Sequence, residues 1–313
     1  MKVLITGGAG FIGSHLADFL LKNKHEVVVF DNLSLGKKEF FQHNLQNKNY
    51  TFIKLDLLNS KKLTTTLPSD IDTVFHLAAN SSIMKSAEDP IIDLENTTIA
   101  TFNLLSAMKK KNVKKIFYLS GSGVYGDVND TKTGETFGPL LPISMYGATK
   151  LSAEAMISAF VHLFDMKAWI LRPANIIGPR ATHGVIYDFI GQLQSKPKSL
   201  RILGDGTQSK SYLYVDDVIN AIHLVWKKSK SDIQLFNLGT NSYITVTQIA
   251  QIILKSMKLT DTSITYGTGN RGWKGDVPIV RLNNSKINAL GWKSAHTSKQ
   301  AVQETVTSLI SSL

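Results

Sequence analysis

The chain opens with Lys2-Val-Leu-Ile-Thr-Gly-Gly-Ala-Gly-Phe-Ile-Gly-Ser14: an apolar strand, a turn built on glycines, and the entry of an amphipathic helix. A strand that passes straight into a helix lays down the first unit of an α/β layer. The same turn carries backbone N–H groups to a helix N-terminus, where a pyrophosphate can approach only if no side chain stands in the way. On this reading Gly7 permits the turn, Gly10 admits the anion and Gly13 lets helix and strand close up. A second β-rich run, 26–30, ends in Asp31, 18 residues beyond the third glycine. There a carboxylate can accept both hydroxyls of an adenosine ribose. It would also repel the extra phosphate of NADP by roughly 1 to 4 kcal/mol, so the expected cofactor is NAD.

Strand-like runs fall at 2–6, 26–30, 51–55, 72–77, 115–120 and 167–172, with helical patterns between them at 11–22, 90–111 and 144–165. Regular alternation of this kind predicts a doubly wound parallel sheet, the Rossmann arrangement, covered on both faces. After Arg172 the order loosens at Gly178-Pro179 and at loops such as Leu203-Gly-Asp-Gly-Thr-Gln208. The expected organisation is a dinucleotide-binding domain over 1–174 and a smaller α/β substrate-binding part over 175–313, some segments of which return to the first domain. Ligands of such sheets bind at the carboxyl ends of the strands.

Composition removes several function classes. The chain has 313 residues, no cysteine and a formal net charge of +11. Without thiols there are no disulfides, and the eight histidines include no pair at helical ligand spacing, so no metal is expected. No apolar run approaches the ~18 residues of a membrane helix. With a strand at the N-terminus in place of a signal-peptide pattern, the expected location is the cytoplasm. The densest basic run, Lys109 to Lys115, ends a predicted helix, where cations meet the negative end of the helix dipole. No aromatic-basic module accompanies it, so nucleic acid is not an expected partner. All five arginines, Arg172, Arg180, Arg201, Arg271 and Arg281, lie in the C-terminal half, which suits an anionic ligand there.

The chemistry is written in Tyr146-Gly-Ala-Thr-Lys150. At i and i+4 on one helix the phenol and the ammonium share a face. A phenol of pKa near 10 is only about 0.1% ionised at pH 7, and closing that gap takes roughly 4 kcal/mol. The lysine and a positively charged nicotinamide ring are the groups expected to supply it.

With these elements in place, the chain resembles the extended short-chain dehydrogenase/reductases. Within them it is similar to the NAD-dependent nucleotide-sugar epimerases of the UDP-glucose 4-epimerase type. The resemblance runs through 7–16, Asp31-Asn32-Leu33, Asp56-Leu57, His76 to Ala79, Asn96, Val124-Tyr-Gly126, Tyr146 with Lys150, Arg172-Pro173 with Asn175, Tyr214 to Asp217, Asn237 to Gly239 and Leu290 to Trp292. It implies a cofactor set of Gly7, Gly10, Phe11, Ile12, Gly13, Asp31, Asn32, Ser34, Gly36, Asp56, Leu57, Leu77, Ala78, Ala79, Asn96, Ser120, Tyr146, Lys150 and Pro173. Asp56 and Leu57 would flank the adenine, and Asn96 would approach the nicotinamide end. For the UDP-sugar it implies Asn175, Lys210, Arg271, Lys274, Asp276 and Val280.

Three departures stand out. Where the family carries a catalytic Ser or Thr this chain has Gly121, flanked by Ser120 and Ser122; Ser122 is the hydroxyl expected to relay the proton, beside Tyr146 and Lys150. Lys210 replaces a phosphate-binding arginine and cannot fork. The arginine usually placed before Gly-Asp is shifted to Arg271, with Lys274 beside it. The activity implied is inversion of C4 of a UDP-sugar, UDP-glucose or UDP-galactose, through a transient 4-keto sugar. Val280, in the family's gate position, is small enough to admit N-acetylated forms. The alternatives are a nucleotide-sugar 4,6-dehydratase or decarboxylase, which resembles this chain less because Ser120 to Gly123 holds no carboxylate, a UDP-glucuronate 4-epimerase, and a non-catalytic NAD-sensing regulator, which would be expected to have lost Tyr146 or Lys150. The resemblance also implies a homodimer paired through 90–111 and 144–165.

Overall fold

The computed structural model describes residues 1–80, 88–229 and 231–311. The chain forms two compact units, one of Met1–Val124, Met145–Arg172 and Ile222–Phe236, the other of Tyr125–Ser144, Pro173–Ala221 and Asn237–Leu313.

The seven-stranded sheet consists of β1 (Lys2–Thr6), β2 (Glu26–Asp31), β3 (Tyr50–Lys54), β4 (Thr73–His76), β5 (Lys115–Leu119), β6 (Lys167–Pro173) and β7 (Ile233–Leu238), in the order β7-β6-β5-β4-β1-β2-β3, and all of it except the ends of β6 and β7 belongs to the first unit. Pairing from β3 through β6 is parallel throughout. β7 follows suit, since Ala168 N–H donates to Asp232 O and Ala174 N–H to Leu238 O, the same offset at both ends. The expected doubly wound parallel sheet is therefore present. The sequence pattern had not revealed β7, whose first three residues are only partly buried.

Side chains alternate across the pleat. Leu4, Val28, Phe30, Val74, Ile116, Tyr118 and Ile170 share one core with residues of α3 (Ala100–Lys111) and α4 (Met145–Phe164). The odd-numbered neighbours Val3, Ile5, Val27, Val29, Phe75 and Phe117 are just as buried on the other face, where Phe75 meets Phe117 and Trp226. Each such side chain contributes about 1.5 to 3 kcal/mol, which explains why these strands read as continuous apolar runs.

Helices α1 (Phe11–Lys22) and α4 keep the expected limits within a residue; α2 (Ser60–Thr66) is short. The helix expected over 90–111 is divided: a turn at Ile91–Asp93, a π-helical stretch at Leu94–Ile99, and then α3. The π-helical stretch reads Leu-Glu-Asn-Thr-Thr-Ile, and within it Asn96 Nδ2 donates to Ile92 O at 2.8 Å.

The second unit is made of short strand pairs, Asn175–Ile177 with Tyr212–Tyr214, Ser199–Ile202 with Ser263–Tyr266, Lys132–Thr133 with Arg281–Leu282, and Ser209–Lys210 with Ile244–Thr245. Its core joins Ile186, Phe189 and Leu193 of helix Val185–Ser195 to Ile249 and Ile253 of helix Val246–Ser256 and to Val302 and Val306 of helix Ser298–Ser311.

Candidate active site

At the end of β1 the chain turns at Gly7 with φ +74°, where a Cβ would lie 2.7 Å from Ala78 N. A Cβ on Gly13 would fall 2.2 Å from the Gly7 carbonyl oxygen, so neither position accepts another residue without displacing the turn. Gly10 caps α1 with no side-chain bond and no acidic residue in the first turn, and Gly10, Phe11 and Ile12 stay partly open. The leading N–H groups of a helix have no partner within it, so this end of α1 is polarised for an anion.

Asp31, at the tip of β2, is nearly enclosed. Its Oδ2 accepts the Ala9 N–H at 3.0 Å and its Oδ1 the Leu33 N–H at 2.8 Å, tying the glycine turn to β2. Burial raises its pKa against those two bonds. Each oxygen retains acceptor capacity, as a ribose diol requires. A Cβ at Gly36 would come within 2.9 Å of Asp31 Oδ1. Asn32 donates to Asp56 Oδ2 at 3.0 Å and accepts the Ser34 N–H at 2.9 Å, and Asp56 Oδ1 accepts the Leu58 N–H. Leu57 is buried, while Leu77, Ala78 and Ala79 are half-open, with Leu77 and Ala78 backing Gly7. The cradle has room where a pyrophosphate needs it and an acceptor at the ribose end, so these residues fit NAD. Asn96 turns its amide to Ile92 O, and Pro173 falls in the second unit.

Tyr146 and Lys150 lie in the first two turns of α4. Lys150 Nζ donates to Leu119 O at 2.8 Å, at the end of β5, and sits 5.0 Å from the Tyr118 ring centre and 5.7 Å from that of Tyr146. Burial lowers the Lys150 pKa to about 8, against the opposing pull of Asp93 and Glu154. Tyr146 moves the other way, to about 12, through burial and then the charge of Asp93. Burial and Asp93 thus favour the protonated phenol in the protein's own field, against which the lysine and a positively charged nicotinamide ring have to act.

The flanking serines part company. Ser120 is buried and donates to Glu154 Oε1 at 2.5 Å, while Glu154 also receives Arg172 Nε and Nη2, the latter at 2.6 Å. Ser122 opens a short 3₁₀ turn and is partly exposed. A Cβ at Gly121 would stand 3.5 Å from the Tyr146 hydroxyl, so the position that faces the phenol carries no side chain.

In the second unit, Lys210 Nζ meets Asp276 Oδ1 at 2.7 Å, the Gly272 N–H bonds Asp276 Oδ2, and Arg271 donates to Asp276 O and pairs with Asp127. Three expected substrate residues thus form one cluster. Lys274 is exposed, Val280 half-buried, and the Asn175 side chain meets the Tyr212 hydroxyl. Arg281 pairs with Asp130 and stacks on Tyr243 at 3.9 Å. Arg172, Arg271 and Arg281 are therefore committed to the chain's own carboxylates, which weakens the inference of an anion site from arginine placement alone.

Sequence reasoning missed Glu154, Asp93 and His76 as site-shaping groups. Glu154 had a signal, lying at i+8 from Tyr146 and hence on the same helix face. Asp93, fully buried with its Oδ1 bonded to Asn80, depends on the π-helical stretch and had none. Among the described residues, no group of three or more His, Asp or Glu could hold a metal ion, and no helix is long and apolar enough to cross a membrane.

A parallel sheet in this order, a glycine turn into α1, an acid at the tip of β2 and a Tyr–Lys pair one turn apart on α4 define a dinucleotide-dependent enzyme of the dehydrogenase type. The chain belongs to the NAD dependent epimerase/dehydratase family, whose model matches residues 3–239. It is 30% identical over 312 residues to a UDP-glucose 4-epimerase of Mycolicibacterium smegmatis, covering 98% of this chain and 97% of that one. Among solved structures, the UDP-glucose 4-epimerase of Thermotoga maritima with UDP-glucose is 33% identical, with a TM-score of 0.89 over 100% of this chain and 99% of that one. The UDP-glucuronic acid 4-epimerase of Bacillus cereus, in complex with UDP-glucuronic acid and NAD, is 29% identical, with a TM-score of 0.90 and full coverage of both chains.

Proposed function

We propose that this chain is an NAD-dependent epimerase that inverts C4 of a UDP-linked hexose, with UDP-glucose and UDP-galactose as the interconverted pair. The observation that carries the reading is the half-buried Tyr146 one helical turn from the buried Lys150, whose ammonium is anchored on Leu119 O, in the same unit as a glycine turn tied down by Asp31. We assign dinucleotide binding to the first unit and the nucleotide sugar chiefly to the second.

When bound, NAD supplies the acceptor for hydride from C4 and the donor that returns it. Tyr146 takes the O4 proton as the sugar ketone forms and restores it as the ketone is reduced on its opposite face. Lys150 holds positive charge beside the phenol and is itself held by Leu119 O. Ser122, open and next to the phenol-facing position 121, is the hydroxyl we assign to the relay. Lys210, Arg271 and Lys274 are assigned to the diphosphate, with Asp276 orienting the first two.

Elimination chemistry needs a carboxylic acid within reach of the sugar. Asp93 and Glu154, the carboxylates that act on the pair, are enclosed and bonded to Asn80 and Arg172, which disfavours a dehydratase. The pairing of Arg172 and Arg281 with internal acids gives no support to a sugar-acid substrate.

A cytoplasmic homodimer completes the proposal, since NAD and nucleotide sugars are shared there. Exposed Leu94, Ile99, Phe102 and Leu163 lie on the π-helical stretch, α3 and α4, with Phe102 packed edge-on to Phe160, and suit a second copy of the chain. A sedimentation experiment returning a monomer at micromolar concentration would remove that part.

Incubation with UDP-galactose, followed by NMR of the sugar, tests the activity. UDP-glucose is the expected product, and Tyr146→Phe is expected to lose ~10³-fold in kcat. A 4-keto-6-deoxy product, or an unaltered Tyr146→Phe rate, would overturn the reading.

A further inference from the structure

The π-helical stretch Leu94–Ile99 packs against α4, and a widened ladder of this kind re-aims the residues on either side of it. Asp93, at its N-terminal edge, is turned wholly inward at 0% exposure. Asn80 Nδ2, itself nearly enclosed, donates to Asp93 Oδ1 at 2.9 Å, whereas Oδ2 has no hydrogen-bond partner among the described residues. A carboxylate enclosed in this way persists only where positive charge compensates it.

The turn that carries Asp93 and the π-helical stretch after it both pack against α4, the helix of Tyr146 and Lys150, and the charge of the carboxylate bears on both members of the pair, of which Lys150 is buried and Tyr146 half-buried. The other groups bearing on the pair are accounted for. Glu154 on α4 acts on Lys150 but is neutralised by Arg172 and bonded by Ser120. His76 on β4 is neutral, with burial and the Lys150 charge pushing its pKa down to about 3. Tyr118 on β5 keeps its proton. Among the described residues, that leaves Asp93 as the acid bearing on the pair without a cation of its own.

We propose that Asp93 is a positioning residue for the Tyr146–Lys150 pair: its enclosed carboxylate, pinned by Asn80, is the fixed counter-charge against which the ammonium and the phenol are held. The proposal rests on the reading of that pair as the proton-handling site. Asp93 favours the protonated form of both groups, so it keeps Lys150 charged inside the protein and delays loss of the Tyr146 proton until a cationic ligand ring is present.

The test is an ultraviolet titration of the phenol in NAD-loaded protein, subtracting the Tyr146→Phe signal, for wild type, Asp93→Asn and Asp93→Ser. Both neutral variants are expected to ionise Tyr146 about one pH unit lower, and the acid limb of the epimerase pH profile should move with it. A merely structural Asp93 would lower Tm and leave both midpoints in place, which overturns the proposal. Failure of both variants to fold would likewise put Asp93 in the core and not in the pair. The titration does not depend on turnover, so a wild-type protein inactive on UDP-sugars would defeat the functional reading while the phenol midpoint still decides the role of Asp93.

Discussion

Glu154 and Arg172 form a buried, forked ion pair, with Nη2 to Oε2 at 2.6 Å and Nε shared between both carboxylate oxygens at 3.0 and 3.2 Å. Their side chains are only 7% and 4% exposed, so the pair joins α4 to β6 where water does not screen it. Glu154→Gln leaves the guanidinium without its carboxylate and is expected to destabilise the protein by about 3 to 5 kcal/mol in urea unfolding. Replacing both partners with methionine should recover most of that loss. A single and a double variant of equal stability would mean that the pair is not the origin of the effect.

The same carboxylate decides how the two serines differ. Ser120 spends its proton on Glu154, so Ser120→Ala is expected to cost about 1.5 to 3 kcal/mol of stability, as for a bond to a charged acceptor, while kcat changes only a few-fold. Ser122→Ala should leave Tm in place and lower kcat by ~100-fold. Measuring both quantities on both variants separates the roles. A kcat loss confined to Ser120→Ala would transfer the relay to that residue.

The sheet was legible from sequence because its strands are buried on both faces, which leaves short apolar runs such as Val27 to Phe30 and Ile116 to Leu119. β7 was not, since Ile233, Gln234 and Leu235 are half-open and carry a weaker signal. Tyr146 and Lys150 stood out because helical spacing is local. Electrostatic sign was not legible: whether a phenol is favoured as an anion depends on burial and on the charge of Asp93, a residue distant in sequence that lies just before the π-helical stretch. The pairing of Lys210 with Asp276 crosses 66 residues and was hidden for the same reason.

Val280 is half-buried on the segment between Asp276 and Arg281, and its carbonyl accepts from Arg281 Nη1 at 3.3 Å. If its side chain gates the space for an N-acetyl group, UDP-N-acetylglucosamine is a substrate of the wild-type protein. Val280→Tyr is then expected to reduce kcat/KM for the acetylated sugar at least ~10-fold more than for UDP-glucose, in the range that pocket size alone commands. Parallel loss on both sugars would remove Val280 from specificity.

His76 joins β4 to β1 and α3 through a chain of bonds whose direction can be assigned. Thr101 donates its only hydroxyl proton to Thr97 O at 2.5 Å, so His76 Nε2 carries the hydrogen that meets Thr101 Oγ1 at 2.9 Å, and Nδ1 accepts from Thr6 at 2.7 Å. Burial first, and then the Lys150 charge, lower its folded pKa to about 3 from 6.5. The unfolded chain therefore binds more protons between those values, and the stability supplied by neutral His76 is complete above pH 6.5 and drains away as pH falls toward 3. By pH 5 the loss is about 2 kcal/mol. Urea unfolding at pH 8 and pH 5 should show this loss in the wild type and not in His76→Gln, which cannot titrate. The variant is less stable than wild type at pH 8 and closes the gap at pH 5. A gap that stays constant between the two pH values would mean that His76 is already protonated, or reached by water, in the folded protein.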